Sequence, residues 1–113
     1  MRSSTMLLLT SWSETFGLVA LEAQASGTPT VAWRCAGGVQ EAIAPGGLVL
    51  DSRDPDVWAE AVQSLLSDPG RYTEAVASAR DFATDRTWAA SASALATQYA
   101  RLLDEAPDVK EIP

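Results

Sequence analysis

The stretch Ser11-Trp-Ser-Glu14-Thr-Phe-Gly17-Leu-Val-Ala-Leu-Glu22-Ala-Gln-Ala-Ser-Gly27-Thr-Pro-Thr-Val31 decides the fold. Before it lies the apolar run Met6-Leu-Leu-Leu-Thr10, the pattern of a strand buried on both faces. Within it, Gly17 to Ser26 reads as a helix that Gly27 closes. Beyond Pro29, Thr30-Val-Ala-Trp33 reads as a second strand, and after Pro45-Gly46-Gly47 the run Leu48-Val-Leu50 reads as a third. The order is strand, helix, strand, short helix, strand, which implies parallel pairing and an α/β class.

The remainder reads as three helices. Asp54-Pro55 opens the first, whose apolar stripe is Trp58, Ala61, Val62, Leu65 and Leu66. Asp68-Pro69-Gly70 breaks it, and Tyr72, Ala75, Val76, Ala79 and Phe82 line the next. Thr87 caps a last helix with the stripe Trp88, Ala92, Leu95, Ala96, Tyr99, Leu102 and Leu103. Residues 104–113 read as a frayed acidic tail. Three strands are few for a sheet covered on both faces, so the 113 residues are expected to be the later part of a larger domain.

Composition removes several classes of function. The chain has no His, which excludes Ser-His-Asp and Cys-His nucleophiles and His-bearing zinc sites. The single cysteine, Cys35, leaves no intrachain disulfide and reads as a small, partly buried residue. No apolar run approaches the length of a membrane span, and the N-terminus does not read as a signal peptide. Net charge is −7 and uneven: two cations against three anions in residues 1–50, six against twelve in the rest. Nonspecific nucleic-acid binding needs the opposite sign, so no nucleic-acid partner is expected.

The chemistry concentrates where the first strand runs into the first helix. The free N–H groups of that helix's first turn, together with the positive end of its dipole, suit a phosphate. Gly17 removes a side chain that would hold an anion away from the backbone. The site would lie at the carboxyl end of a parallel strand, where open α/β sheets bind ligands. Glu14 precedes the helix, and Glu22 lies on the helical face of Leu18, Leu21 and Ala25. A carboxylate on an apolar stripe calls for a polar partner, such as a ribose diol. Equally, both carboxylates are explained as solvated groups complementing the N-terminal half of a helix. Gly37-Gly38 fits either a close backbone approach to a ligand or a plain strand-to-helix turn.

The run Ser-x-Ser-Glu14-x-Phe-Gly-Leu-x-x-Leu-Glu22-Ala-x-Ala-x-Gly-Thr-Pro-x-Val resembles the E-x7-E segment of retaining glycosyltransferases of family 4, also called group 1. Gly37-Gly38-Val-Gln-Glu41, Gly47-Leu-Val-Leu, Asp54-Pro55 and Thr87-Trp88 follow that family's pattern in order. The resemblance implies a partial Rossmann-like C-terminal domain of a GT-B fold, about three parallel strands followed by a helical C-terminal half. It implies that residues 1–113 bind the nucleotide-sugar donor and that the N-terminal acceptor domain is absent. Carried over residue by residue, Glu14 would bind donor-sugar hydroxyls and act in catalysis. The amides of Phe16, Gly17 and Leu18 would hold the diphosphate or the sugar, and Glu22 the ribose hydroxyls. Ser13, Thr15, Gly37 and Gly38 are further candidates. The resemblance implies transfer from a nucleotide-diphosphate sugar with retention, no metal or other cofactor, and a cytoplasmic enzyme.

The sequence departs from the family at Thr10, where Pro is frequent, at Thr15, where Gly is usual, and at Val39-Gln40 before Glu41. The Arg/Lys pair that clamps the diphosphate lies upstream of this segment in the family, and only Arg2 stands there here. Without that clamp a net-negative chain should bind a diphosphate poorly, so the chain alone is expected to be inactive until a missing N-terminal domain or a second chain supplies it. The alternative is a noncatalytic remnant or split-gene module that docks on another chain through an open sheet edge and the stripe of the last helix.

Overall fold

A computed structural model of the chain describes residues 3–105. Its elements run β1 (Leu7–Leu9), β2 (Ser13–Glu14), α1 (Leu18–Ala25), β3 (Thr30–Trp33), β4 (Ala36–Gly37), β5 (Leu48–Leu50), α2 (Pro55–Leu66), α3 (Pro69–Thr84) and α4 (Trp88–Glu105). The main sheet has the order β1-β3-β5 and both pairings are parallel, Leu8 opposite Val31 and Val31 opposite Leu48. The α/β class and the three parallel strands are thus as the sequence implies. A second, two-stranded parallel ladder joins β2 to β4; its strands are too short to show a period.

Side-chain alternation divides the sheet into two unlike faces. Leu9, Ala32 and Val49 share a register row and join Ala20, Cys35, Val39 and Ile43 in the core. Leu8 lies in the adjacent row and is 49% exposed, so β1 is not covered on both sides as its apolar run suggests. Among the described residues β1 is an edge strand, and a hollow of about 440 Å³ separates Leu8 from Pro55, Trp58 and Val62 of α2.

The helices start where their side chains cap them. Asp54 accepts from the Asp56 amide at 2.9 Å, with Pro55 at the first helical position of α2. Asp68 accepts from the Arg71 amide at 3.0 Å, so Asp68-Pro69 both ends α2 and opens α3. Thr87 Oγ1 accepts from the Ala90 amide at 3.1 Å at the start of α4. α3 lies on α1 through small side chains, Ala75, Ala79 and Ala83 being its buried residues. The α3 side chain of Arg80 sits directly over Gly27, whose φ of +76° ends α1.

Two expectations are corrected here. Residues 38–44 form no helix but a single helical turn, with the Glu41 and Ala42 amides donating to the Gly38 carbonyl at 3.0 and 3.3 Å. The Pro45-Gly46-Gly47 turn, with Gly46 at φ +96°, stops it there. Asp104 and Glu105 belong to the last turn of α4 instead of a frayed tail; residues 106–113 lie outside the described residues. α4 has no buried residue, as the alternative reading of an uncovered last stripe expects: Trp88 is 82% and Leu103 76% exposed, and the described residues extend over 66 × 26 × 19 Å.

Candidate functional site

The loop from β1 to α1 is built by backbone meeting backbone. Ser13 pairs with Ala36 and Glu14 with Gly37, and the Gly38 amide donates to the carbonyls of Glu14 (3.2 Å) and Thr15 (3.1 Å). Gly37 adopts φ +106°, and a β-carbon there would stand 1.7 Å from the Glu14 carbonyl oxygen. At Gly38 it would stand 2.9 Å from the Thr15 carbonyl oxygen and 3.3 Å from Phe16 Cα. Ser13, Glu14, Thr15, Phe16, Gly37 and Gly38 are therefore one assembly, and the two glycines serve loop-to-loop approach. The plain-turn reading of Gly37-Gly38 does not account for these contacts.

Gly17 is the residue before α1 and not part of its first turn, a shift of one position from the sequence expectation. Its φ is +93°, and its carbonyl accepts from the Ala20 and Leu21 amides at 2.9 and 3.2 Å. No side chain caps this helix end, and its first turn carries no acidic residue. The amides of Leu18 and Val19 precede the first helical acceptor. The positive end of the helix, uncapped by any side chain, lies at the carboxyl end of a parallel strand, with Gly17 itself buried.

Glu22 lies one turn further along α1 and is exposed. The buried residues of this helix are Ala20, Ala23 and Gln24, so Leu18, Glu22 and Ala25 form its outward face. The apolar stripe expected around Glu22 is therefore not the packed one: α1 seats itself by alanines, which allow close approach to the sheet and α3. Glu22 is free of protein contacts that would hide its carboxylate, and Leu18 beside it is 50% exposed.

Two supports of the site escaped the sequence reading. Gln24 is fully buried; its amide nitrogen donates to the carbonyls of Ala20 (3.1 Å) and Ala42 (2.6 Å), and its oxygen accepts from the Ala44 amide at 2.6 Å. It ties α1 to the turn that carries Gly37 and Gly38. A lone glutamine between two alanines of a packed helix was the available signal. The second is Arg53, after β5, which stacks on Trp12 and Trp33 and donates to the Thr10 carbonyl at 3.2 Å. No periodic pattern reveals such a meeting of three loops.

The cations at this end of the sheet are committed. Arg34 bonds Asp51 and Gln40, and Arg53 is stacked as described. Cys35 is buried in the core, more deeply than the partly buried position expected. Among the described residues, no cluster of three or more His, Cys, Asp or Glu could hold a metal ion. No helix of the described residues is long and apolar enough to cross a membrane. The loop thus brings an uncapped helix start together with one carboxylate before the helix and one on its outer face.

A family model described as glycosyl transferases group 1 matches residues 1–82. The D-inositol 3-phosphate glycosyltransferase of Corynebacterium kroppenstedtii is 42% identical over 111 residues, which is 96% of this chain and 24% of that protein. The chain thus spans about a quarter of the length of the curated relatives it matches. Among solved structures, sucrose-phosphate synthase from Thermosynechococcus elongatus superposes with a TM-score of 0.71 at 32% identity, covering 88% of this chain and 26% of that one. The C-terminal domain of a glycosyl transferase group 1 protein from Francisella tularensis gives 0.64 at 28%, covering 74% and 43%. The architecture is therefore that of a Rossmann-like C-terminal domain of the GT-B fold, and by the family match over most of its length the chain belongs to the glycosyl transferases group 1.

Proposed function

We propose that the chain is the donor-binding part of a cytoplasmic glycosyltransferase, which moves a sugar from a nucleotide-diphosphate sugar to an acceptor with retention of configuration. The observation that carries this reading is the uncapped start of α1 behind Gly17, within the segment matched by the family model. In this reading the amides of Phe16, Gly17 and Leu18 hold the diphosphate or the sugar. The Glu22 carboxylate accepts from the ribose hydroxyls, and Glu14 from hydroxyls of the donor sugar. A leaving diphosphate gains negative charge as the glycosidic bond breaks, and fixed amides aimed at it lower that barrier electrostatically. The transfer as proposed needs no metal ion.

The same reading makes the chain incomplete by itself. Arg34 is tied to Asp51, and a diphosphate needs cations that are free to face it. An Arg/Lys pair and the acceptor site come from an N-terminal domain or a second chain. In the intact protein, Glu22→Ala is expected to weaken binding of the free nucleotide diphosphate. Glu14→Ala is expected mainly to lower turnover. Unchanged kinetics for both variants would contradict the assignment.

A second reading, a noncatalytic module that docks on another chain, draws on one specific observation: the stripe of α4 is uncovered along its length. It predicts concentration-dependent association without any affinity for a nucleotide sugar.

A further inference from the structure

Trp12 is 73% exposed, yet it is not free to swing. Its indole meets that of Trp33 edge to face, with ring centroids 5.3 Å apart and planes at 83°. The guanidinium carbon of Arg53 lies 3.8 Å from the Trp12 centroid and 4.4 Å from that of Trp33. Arg53 is itself anchored by its bond to the Thr10 carbonyl at 3.2 Å. The loop after β1, the last residue of β3 and the loop after β5 thus converge on one ring. Arg53 takes one face of that ring, and the high exposure leaves the opposite face to solvent.

A large apolar ring held open to water at the ligand end of a sheet loses hydration cost when something flat covers it. Because its orientation is already fixed, little side-chain entropy is lost on covering it. The position along the site selects the kind of ligand. Trp12 stands two residues before Glu14 in the loop that follows β1, and across Gly17 from Glu22 along the chain. A ring next to Glu14 lies at the sugar end of the proposed site, away from the nucleoside end. Saturated sugar rings carry C–H groups on their faces and hydroxyls at their rims. They can lie on an indole while offering a rim hydroxyl to a carboxylate.

We propose that Trp12, held by Arg53 and Trp33, is a stacking platform for a saturated sugar ring beside Glu14. This deepens the donor-site reading and rests on it. The ring is that of the donor sugar, because the acceptor site is placed on an N-terminal domain or a second chain.

The test follows the tryptophan indole N–H resonances of the ¹⁵N-labelled intact protein, with Trp12 assigned by its loss in Trp12→Phe. UDP-glucose, UDP and methyl α-glucopyranoside are added separately at millimolar concentration. The expected result is that UDP shifts the Leu18 and Val19 amides alone, while UDP-glucose also shifts the Trp12 indole. A Trp12 shift by methyl α-glucopyranoside without one by UDP-glucose would place the ring outside the donor site and overturn the proposal. Trp12→Ala is expected to cut the affinity for UDP-glucose up to about tenfold relative to UDP. Trp12→Phe is expected to retain most of it. If UDP-glucose shifts the Leu18 and Val19 amides and no sugar moves Trp12, the platform is wrong and the donor site stands. If none of the three probes moves either region of the folded intact protein, both are overturned.

Discussion

The carbonyl oxygen of Glu14 occupies the space in which a side chain of residue 37 would begin. A β-carbon on Gly37 would lie 1.7 Å from that oxygen, and Gly37 has φ +106°. The loop that presents Glu14 and the turn after β3 are therefore packed backbone to backbone, with the Gly38 amide bonding the Glu14 and Thr15 carbonyls across the contact. This pairing fixes the loop without spending a side chain that could face a ligand.

Gly37→Ala is expected to break that contact and to add backbone strain, at a cost of about 2 kcal/mol or more. Gly38→Ala is milder, about 1 kcal/mol, because its nearest atom would lie at 2.9 Å and its φ is not in the left-handed region. Urea unfolding of both variants checks the order. Equal stability of wild type and Gly37→Ala would contradict the packing.

Removal of the Gln24 side chain amide leaves the Ala44 N–H and one lone-pair partner of Ala42 buried and unpaired. Gln24→Leu is expected to cost about 2–3 kcal/mol. Amide exchange should rise in the turn 38–44 before it rises in β3. A substitution without effect on either measure would remove Gln24 as the link between α1 and that turn.

Thr30 offers the opposite case. It is fully buried, and its hydroxyl has no hydrogen-bond partner among the described residues. Thr30→Val replaces that oxygen by a methyl group of similar size in a β-strand, where Val is favoured. The variant is expected to be more stable by about 1 kcal/mol, read as a higher urea midpoint.

The stripe of α4 supports no part of the folded core. Leu95→Glu and Leu102→Glu are expected to leave unfolding free energy within about 0.5 kcal/mol of wild type. If the stripe mediates self-association, the same variants lower the sedimentation coefficient at high concentration. A large loss of stability would show that α4 folds back on the domain.

The sequence made the sheet legible because β-prone runs and Gly/Pro punctuation are local signals. Leu48–Leu50 begins directly after Pro45-Gly46-Gly47, and Asp54-Pro55 and Asp68-Pro69 mark the starts of α2 and α3. Burial was less legible. The apolar run before Ser11 suggests cover on both sides, but whether Leu8 is covered depends on elements far away in sequence. Glu22 was read onto a packed stripe because Leu18 and Leu21 are larger than the alanines; α1 packs by its small residues instead. The β2–β4 ladder, the Gln24 bridge and the Arg53 stack join residues 17 or more positions apart through single contacts, which no short-range pattern encodes.

The central claim is that the loop before α1 and the start of that helix hold the diphosphate of a nucleotide sugar. The most direct measurement is a crystal structure of the protein with UDP-glucose. The account predicts diphosphate oxygens on the amides of Phe16, Gly17 and Leu18, with the ribose hydroxyls donating to Glu22. A nucleotide seated elsewhere, with Glu22 solvated and those amides unoccupied, would contradict it.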